Sequence, residues 1–234
     1  MTMPSNKNLI FILFLCFIFS SFSQHEKHVT NFKSIISTID TLTIYPTFLD
    51  IKFIDVNKKF QSDTTCINNY IFQVNKLSKE LLQEKYTINN IDLPFEIDSI
   101  KLSKIKEISQ IIDTTNKNLN NIIFPKELII GETKNASKYI IINIIEGVYK
   151  SDQLIRKEKL ELIPTNIALG IISLGTLSIQ PQNNYACISR TFLIETNTNQ
   201  IIYYYSTKSI DHPKSISLIE SIVQKSLKKI YYKK

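Results

Sequence analysis

Three histidines, His25, His28 and His212, are all the imidazole this chain has for acid–base or metal chemistry. His25 and His28 stand three apart around Glu26. That spacing picks up a metal adventitiously but offers too few ligands, since structural sites gather four and catalytic sites at least three. Asp211 and His212 suggest a base beside its orienting acid, as in a hydrolase. Adjacent residues in an extended loop point apart, however, and spacing assigns them no activated Ser or Cys. Pre-proline loop chemistry before Pro213 is the plainer reading. Asp50 and Asp55 are a carboxylate pair of a kind common on solvated strands, which proves nothing about glycoside or other acid–base chemistry. The four glycines are too scattered to build a dinucleotide-binding GxGxxG or a phosphate-cradling P-loop. No catalytic, cofactor-binding or metal-binding residue is therefore assigned, and no cofactor is expected.

The cysteines depend on where the chain resides. Residues 9–19 are an uninterrupted apolar run of eleven behind Lys7, and Ser20, Ser21 and Ser23 then give small-x-small geometry. This reads as a secretory signal cleaved near Ser23–Gln24. A spanning helix needs roughly 20 apolar residues, which this run does not reach. Cys16 leaves with the signal, so Cys66 and Cys187 remain. In an oxidising compartment they either pair or stay as two separately buried thiols. A link across ~120 residues contributes on the order of 4 to 5 kcal/mol by chain entropy. The expected organisation is a signal peptide at 1–23, a flexible lead at 24–40, and a single α/β domain at 41–234 with an apolar insertion at 149–184.

Net charge falls from +7 to +6 when Lys7 is lost, and the positives are interspersed with acids except at Lys225, Lys228, Lys229, Lys233 and Lys234. That tail reads as the solvated face of a terminal helix, with weak attraction to anionic headgroups as the second reading. Only two arginines, Arg156 and Arg190, are present, and no RNA-recognition motif, so nucleic acid is not an expected partner. An excess of Ile, Asn and Lys points to an A/T-rich coding sequence rather than to chemistry.

The positioning elements follow from periodicity. Residues 41–54 are β-rich, and Pro46 makes them an edge strand or breaks them in two. Tyr70, Val74, Leu77 and Leu81 recur at helical spacing, and residues 86–93 follow as a short strand. Asp98 stands as N-cap to a helix carrying Leu102, Ile105, Ile108 and Ile112. Pro125 and Gly131 bracket a one-to-two-turn helix. Residues 139–145, YIIINII, read as a central strand covered on both faces. Residues 185–195 and 201–208 form a hairpin. Ile216, Ile219, Val223, Leu227 and Ile230 lay out a closing helix. The fold class is α/β or α+β, one mixed sheet flanked by amphipathic helices.

This order, with PKELIIGETKNASKYIIINIIEGVYKS followed by ACISRTFLIETNTNQIIYYYSTK and a closing helix, resembles small bacterial envelope domains. They are typified by the curli-secretion lipoprotein and the penicillin-binding-protein activators, and the amino domain of the Tol-system translocation protein is similar. Glu195, Asn197, Asn199 and Tyr203 to Tyr205 take the hairpin positions. The resemblance covers about residues 41–229, interrupted at 149–184, and implies a non-enzymatic assembly or docking part.

Residues 167–179 (IALGIISLGTLSI) are the one unusual interior segment, thirteen residues between Pro164 and Pro181. They read first as core, since a long insertion must satisfy its backbone groups. The alternatives are contact with a membrane surface or with an envelope protein partner through Leu169, Ile171, Ile172, Leu174 and Leu177. The expectation is an exported protein, periplasmic, envelope-associated or secreted, acting as a binding or assembly module. An exported hydrolase is the alternative, to be told apart by a deep pocket of convergent ionisable groups.

Overall fold

Where the sequence suggests a flexible lead at 24–40, the chain instead enters the sheet. Residues Gln24–His28 form strand β1, and Phe32–Ser37 form a short helix, α1, that buries Phe32 and Ile36. The polar QHEKH hides this strand because only one of its edges is paired, by β8 (Gln200–Ser209), antiparallel. Its long side chains are tied down individually. Glu26 pairs with Lys229 at 2.7 Å, and His28 stacks on Phe32, which stacks in turn on Tyr203.

The computed structural model describes residues 24–90, 99–114, 118–128, 137–172, 184–209, 212–213 and 215–231, with backbone alone for 24, 64–69, 90, 99 and 167–172. Pro46 falls in the break between β2 (Thr41–Ile44) and β3 (Phe48–Ile54), as a residue without an N–H must in a sheet. After β4 (Phe60–Ser62) come helix α2 (Thr64–Leu82), β5 (Thr87–Asn90) and helix α3 (Ser99–Thr114). Two 3-10 turns, Leu119–Asn121 and Lys126–Leu128, precede β6 (Tyr139–Lys150). Helix α4 (Asp152–Ile172) separates β6 from β7 (Tyr185–Glu195), and α5 (Ile216–Tyr231) follows β8.

The strands make one mixed sheet in the order β1-β8-β7-β6-β2-β5, with β3 also lying along β6 and β4 beyond β3. Because β6 is twelve residues long, its first part pairs with β2 and its second with β3, both parallel, while β7 runs antiparallel along its other side. Residues 139–145 are buried throughout, as a strand covered on both faces requires.

Alternation along β8 sorts the layers. The Tyr203 hydroxyl donates to the Ser226 carbonyl of α5, whereas the Tyr204 hydroxyl donates to Asp113 of α3. Thus α2 and α5 cover one face, and α3 lies on the other with Phe124, Phe192 and Tyr204 in an aromatic cluster. Asn143 is the polar residue inside the central run. Its amide donates to Ser78 and accepts from Thr191, which offsets the ~1–3 kcal/mol that an unpartnered buried amide costs. Gly147 sits where a side chain has no room. A Cβ there would lie 2.6 Å from the Cβ of Pro213, so the loop after β8 closes directly on β6.

Candidate functional site

Sheet register gathers charges that are far apart in sequence. Asp50 of β3 pairs with Glu146 of β6, Glu146 lies opposite Ile188 of β7, and Arg190 stands one diagonal step away on the same face. Helix α3 lowers Lys106 onto this row. Its Nζ lies 2.6 Å from Glu146 Oε1 and 3.1 Å from Asp50 Oδ2, Lys52 approaches Asp50 at 3.4 Å, and Arg190 pairs with Glu146. The Arg190 side chain is only 9% exposed, and its Nε is buried without an acceptor among the described residues. Burial alone would lower the Lys106 pKa, but its hydrogen bonds to Glu146 and Asp50 and their charges outweigh that and hold it above the ordinary lysine value. Burial, then the charge of Asp113, pushes the neighbouring Tyr204 hydroxyl well above the usual phenol range.

Beside this row a groove of about 560 Å³ opens, with Val148, Ala186 and Ile188 as an apolar floor and Phe60 and Ser62 at the β4 rim. The volume is within the range of small-molecule clefts. The chemistry the groups allow is narrower. Lys106 is fixed as a cation, and both Asp50 and Glu146 serve cations at contact distance. Such a row anchors α3 to the sheet and can orient a charged group at the groove.

The residues singled out from the sequence scatter around this site. His212 packs between the rings of Tyr149 and Tyr185, at 4.9 and 4.6 Å; Asp211 lies outside the described residues. His25 and His28 are three apart in a strand and therefore face opposite sides of it. Among the described residues no three His, Cys, Asp or Glu gather as a metal site would need. Asp55 closes a turn, accepting from the backbone N–H groups of Asn57 and Lys59. Cys187 is buried on β7, and the side chain of Cys66 lies outside those described. At the hairpin, Asn199 adopts φ 56°, a left-handed position asparagine tolerates. Burial would raise the Glu195 pKa, but Lys138 at 2.9 Å and the Thr198 hydroxyl lower it below the usual carboxylate range.

The apolar insertion takes an unforeseen form. Its first part is α4, twenty-one residues and about 31 Å long. Leu154 is buried at its base, whereas Leu160 is 65% and Ile163 48% exposed. Pro164 removes the N–H that the Leu160 carbonyl would otherwise receive within the helix. Leu169, Ile171 and Ile172 fall on its last turns, where the backbone alone is described; Leu174 and Leu177 lie outside the described residues. No helix among the described residues is long and apolar enough to cross a membrane. Sequence reasoning missed Lys106, Glu146 and Arg190 as a group. The signal was there in Glu146 and Arg190, each a lone charge inside an apolar strand run.

No known protein family matches the chain, and no curated protein does. Among solved structures it is similar to a PelC dodecamer from Paraburkholderia phytofirmans, at 8% identity and a TM-score of 0.43, over 91% of this chain and 99% of that one. A second PelC dodecamer from the same organism has 6% identity and a TM-score of 0.39, over 90% and 96%. The lipoprotein GNA1162 from Neisseria meningitidis has 8% identity and a TM-score of 0.32, over 82% of this chain and 96% of that one.

Proposed function

We propose that this chain is an exported, non-enzymatic binding or assembly module of the bacterial cell envelope, and that α4 with the apolar segment behind it is the contact arm. One observation carries the reading. Strands β6 and β7 are antiparallel neighbours paired from Tyr139 with Glu195 to Tyr149 with Tyr185, a geometry that a turn of about 2–5 residues closes. The chain spends residues 151–184 there instead. The described part of that excursion is a helix that buries Leu154 and offers Leu160 and Ile163 to solvent. These exposed apolar side chains support a use outside the domain, against an envelope partner or the membrane surface. The alternative, a hydrolase working through Asp211 and His212, is disfavoured by the packing of the His212 ring between two tyrosines.

The test is fractionation of the producing cell, with mass spectrometry of the amino terminus and a carbonate wash, for the wild type and for Leu160→Glu/Ile163→Glu. The expected result is a chain beginning at Gln24 that fractionates with the envelope, and a variant released from it with an unchanged Tm. A wild type and variant that fractionate alike would remove the arm from the argument.

A further inference from the structure

Strand β1 sets its first residue, Gln24, opposite Thr207, and β1 is the last strand on its side of the sheet, with β8 as its neighbour. One bond fixes the direction of every amide along it. The Val29 N–H donates to the Ile202 carbonyl at 3.1 Å. In an antiparallel pair, positions bonded to the partner alternate with positions whose backbone groups point the opposite way. Counting back from Val29, Lys27 and His25 turn toward β8, whereas His28, Glu26 and Gln24 turn toward the open edge. The backbone nitrogen of Gln24 is therefore not used by the β8 ladder, although the residue is held in register.

The anchors of the strand lie further along. Glu26 pairs with Lys229, Lys27 donates to the Ile112 carbonyl, and His28 stacks on Phe32. The amino end that cleavage between Ser23 and Gln24 leaves is thus a fixed strand end whose nitrogen is directed away from its own sheet. The residue placed there is a glutamine.

From this we infer that Gln24 is a modification site: once cleavage frees its α-amine, the residue closes on itself to an amino-terminal pyroglutamyl lactam. The inference rests on the signal cleavage that the proposed export requires. The amine nitrogen attacks the side-chain amide carbon, Cδ, of the same residue. The N–Cδ bond forms, the Cδ–Nε2 bond breaks, and the proton shed by the amine leaves with Nε2 as ammonia. No oxidant, reductant or second reactant is needed. Glutamine closes a five-membered ring, whereas asparagine would have to close a strained four-membered one. An α-amine has an ordinary pKa of about 7.7–8.0, so roughly one in ten is already the neutral nucleophile at pH 7. Both reacting groups belong to one residue, which removes the entropy of bringing them together. The lactam retains an N–H and leaves ψ free to stay extended, so β1 keeps its place. Its consequence is protection of the edge. Chain ends are where proteolysis concentrates, and trimming five residues from a free amine would remove the whole of β1.

The test is intact mass and amino-terminal peptide sequencing of the protein taken directly from the producing cell, repeated after storage, beside Gln24→Asn. The expected result is a first peptide that starts at residue 24 and is lighter than its sequence by one ammonia. It should resist amine labelling, be opened by pyroglutamyl aminopeptidase, and gain nothing on storage. Gln24→Asn should start at the same residue with a free amine and its full mass. A wild-type chain that starts at residue 24 with a free amine overturns the inference and leaves the cleavage standing, while one that starts elsewhere overturns both. A lactam absent from fresh protein that grows during storage is a handling product and overturns it too. So does an ammonia loss that persists in Gln24→Asn.

Discussion

Replacing Glu146 by glutamine removes the negative charge shared by Lys106 and Arg190 in the row beneath α3. Arg190, 9% exposed, then has no carboxylate, and its Nε already lacks an acceptor among the described residues. Breaking a fully buried pair by deleting one partner costs about 3–5 kcal/mol. Glu146 is 18% exposed and Lys106, 31% exposed, keeps Asp50, so a cost of about 2–3 kcal/mol is expected here. For a domain of this size that lowers Tm by roughly 4–12 °C. Urea unfolding at pH 7 should show the same loss in midpoint with an unchanged slope. Lys106→Met should cost only about 0–1 kcal/mol, because its head is a third exposed. Since the Lys106 pKa is raised, its contribution is complete below about pH 10 and is lost only as pH climbs through the folded value. Glu146→Leu with Arg190→Met removes both charges together and should recover to within about 1 kcal/mol of wild type. If Glu146→Gln were as stable as wild type to within about 0.5 kcal/mol, the row would not be a structural anchor. Its charges would then be held for a ligand, and the non-enzymatic reading would have to be reopened.

Two further results are expected. Gly147→Val pushes a branched side chain into the 2.6 Å approach of Pro213, so overpacking should cost about 1–3 kcal/mol; an unchanged Tm would mean the loop does not close there. Cys66 and Cys187 are proposed to pair, because Cys187 shares a sheet row with Gly147 and Ile51, and the Ile51 carbonyl accepts the N–H of Asp63, just ahead of Cys66. Thiol labelling of the unfolded protein from the envelope should find no free thiol before reduction and two after it; two before reduction would leave them as separate buried thiols.

The helices and the hairpin were legible because each rests on local periodicity. The stripe Tyr70, Val74, Leu77, Leu81 lies on α2, the stripe Leu102 to Ile112 on α3, and the turn ending at Asn199 joins β7 to β8. The break at Pro46 was legible for a chemical reason, the missing donor. Two elements were not. Strand β1 is polar because an edge strand needs no apolar face to be held by its backbone, and α4 carries too little periodicity, with a proline in its interior, to read as a helix. The charged row was hidden by topology, since only the pairing of β3, β6 and β7 places Asp50, Glu146 and Arg190 together.

The pairing of Gln24 with Thr207 also sets an order of events during synthesis. A chain that emerges or is threaded through a channel with its amino end first presents β1 and β2 before any partner exists, and β3 with only the short β4 to pair. Strand β6 arrives after three helices, and the strand that completes β1 comes almost last. Contacts of such long sequence separation form slowly, because the closure entropy is paid before the sheet rewards it. The chain therefore stays thread-like for most of its passage, as a narrow pore demands. The same delay leaves residues 41–54 without their β6 neighbour, the stretch that a holding factor would have to shield until Lys150 has emerged.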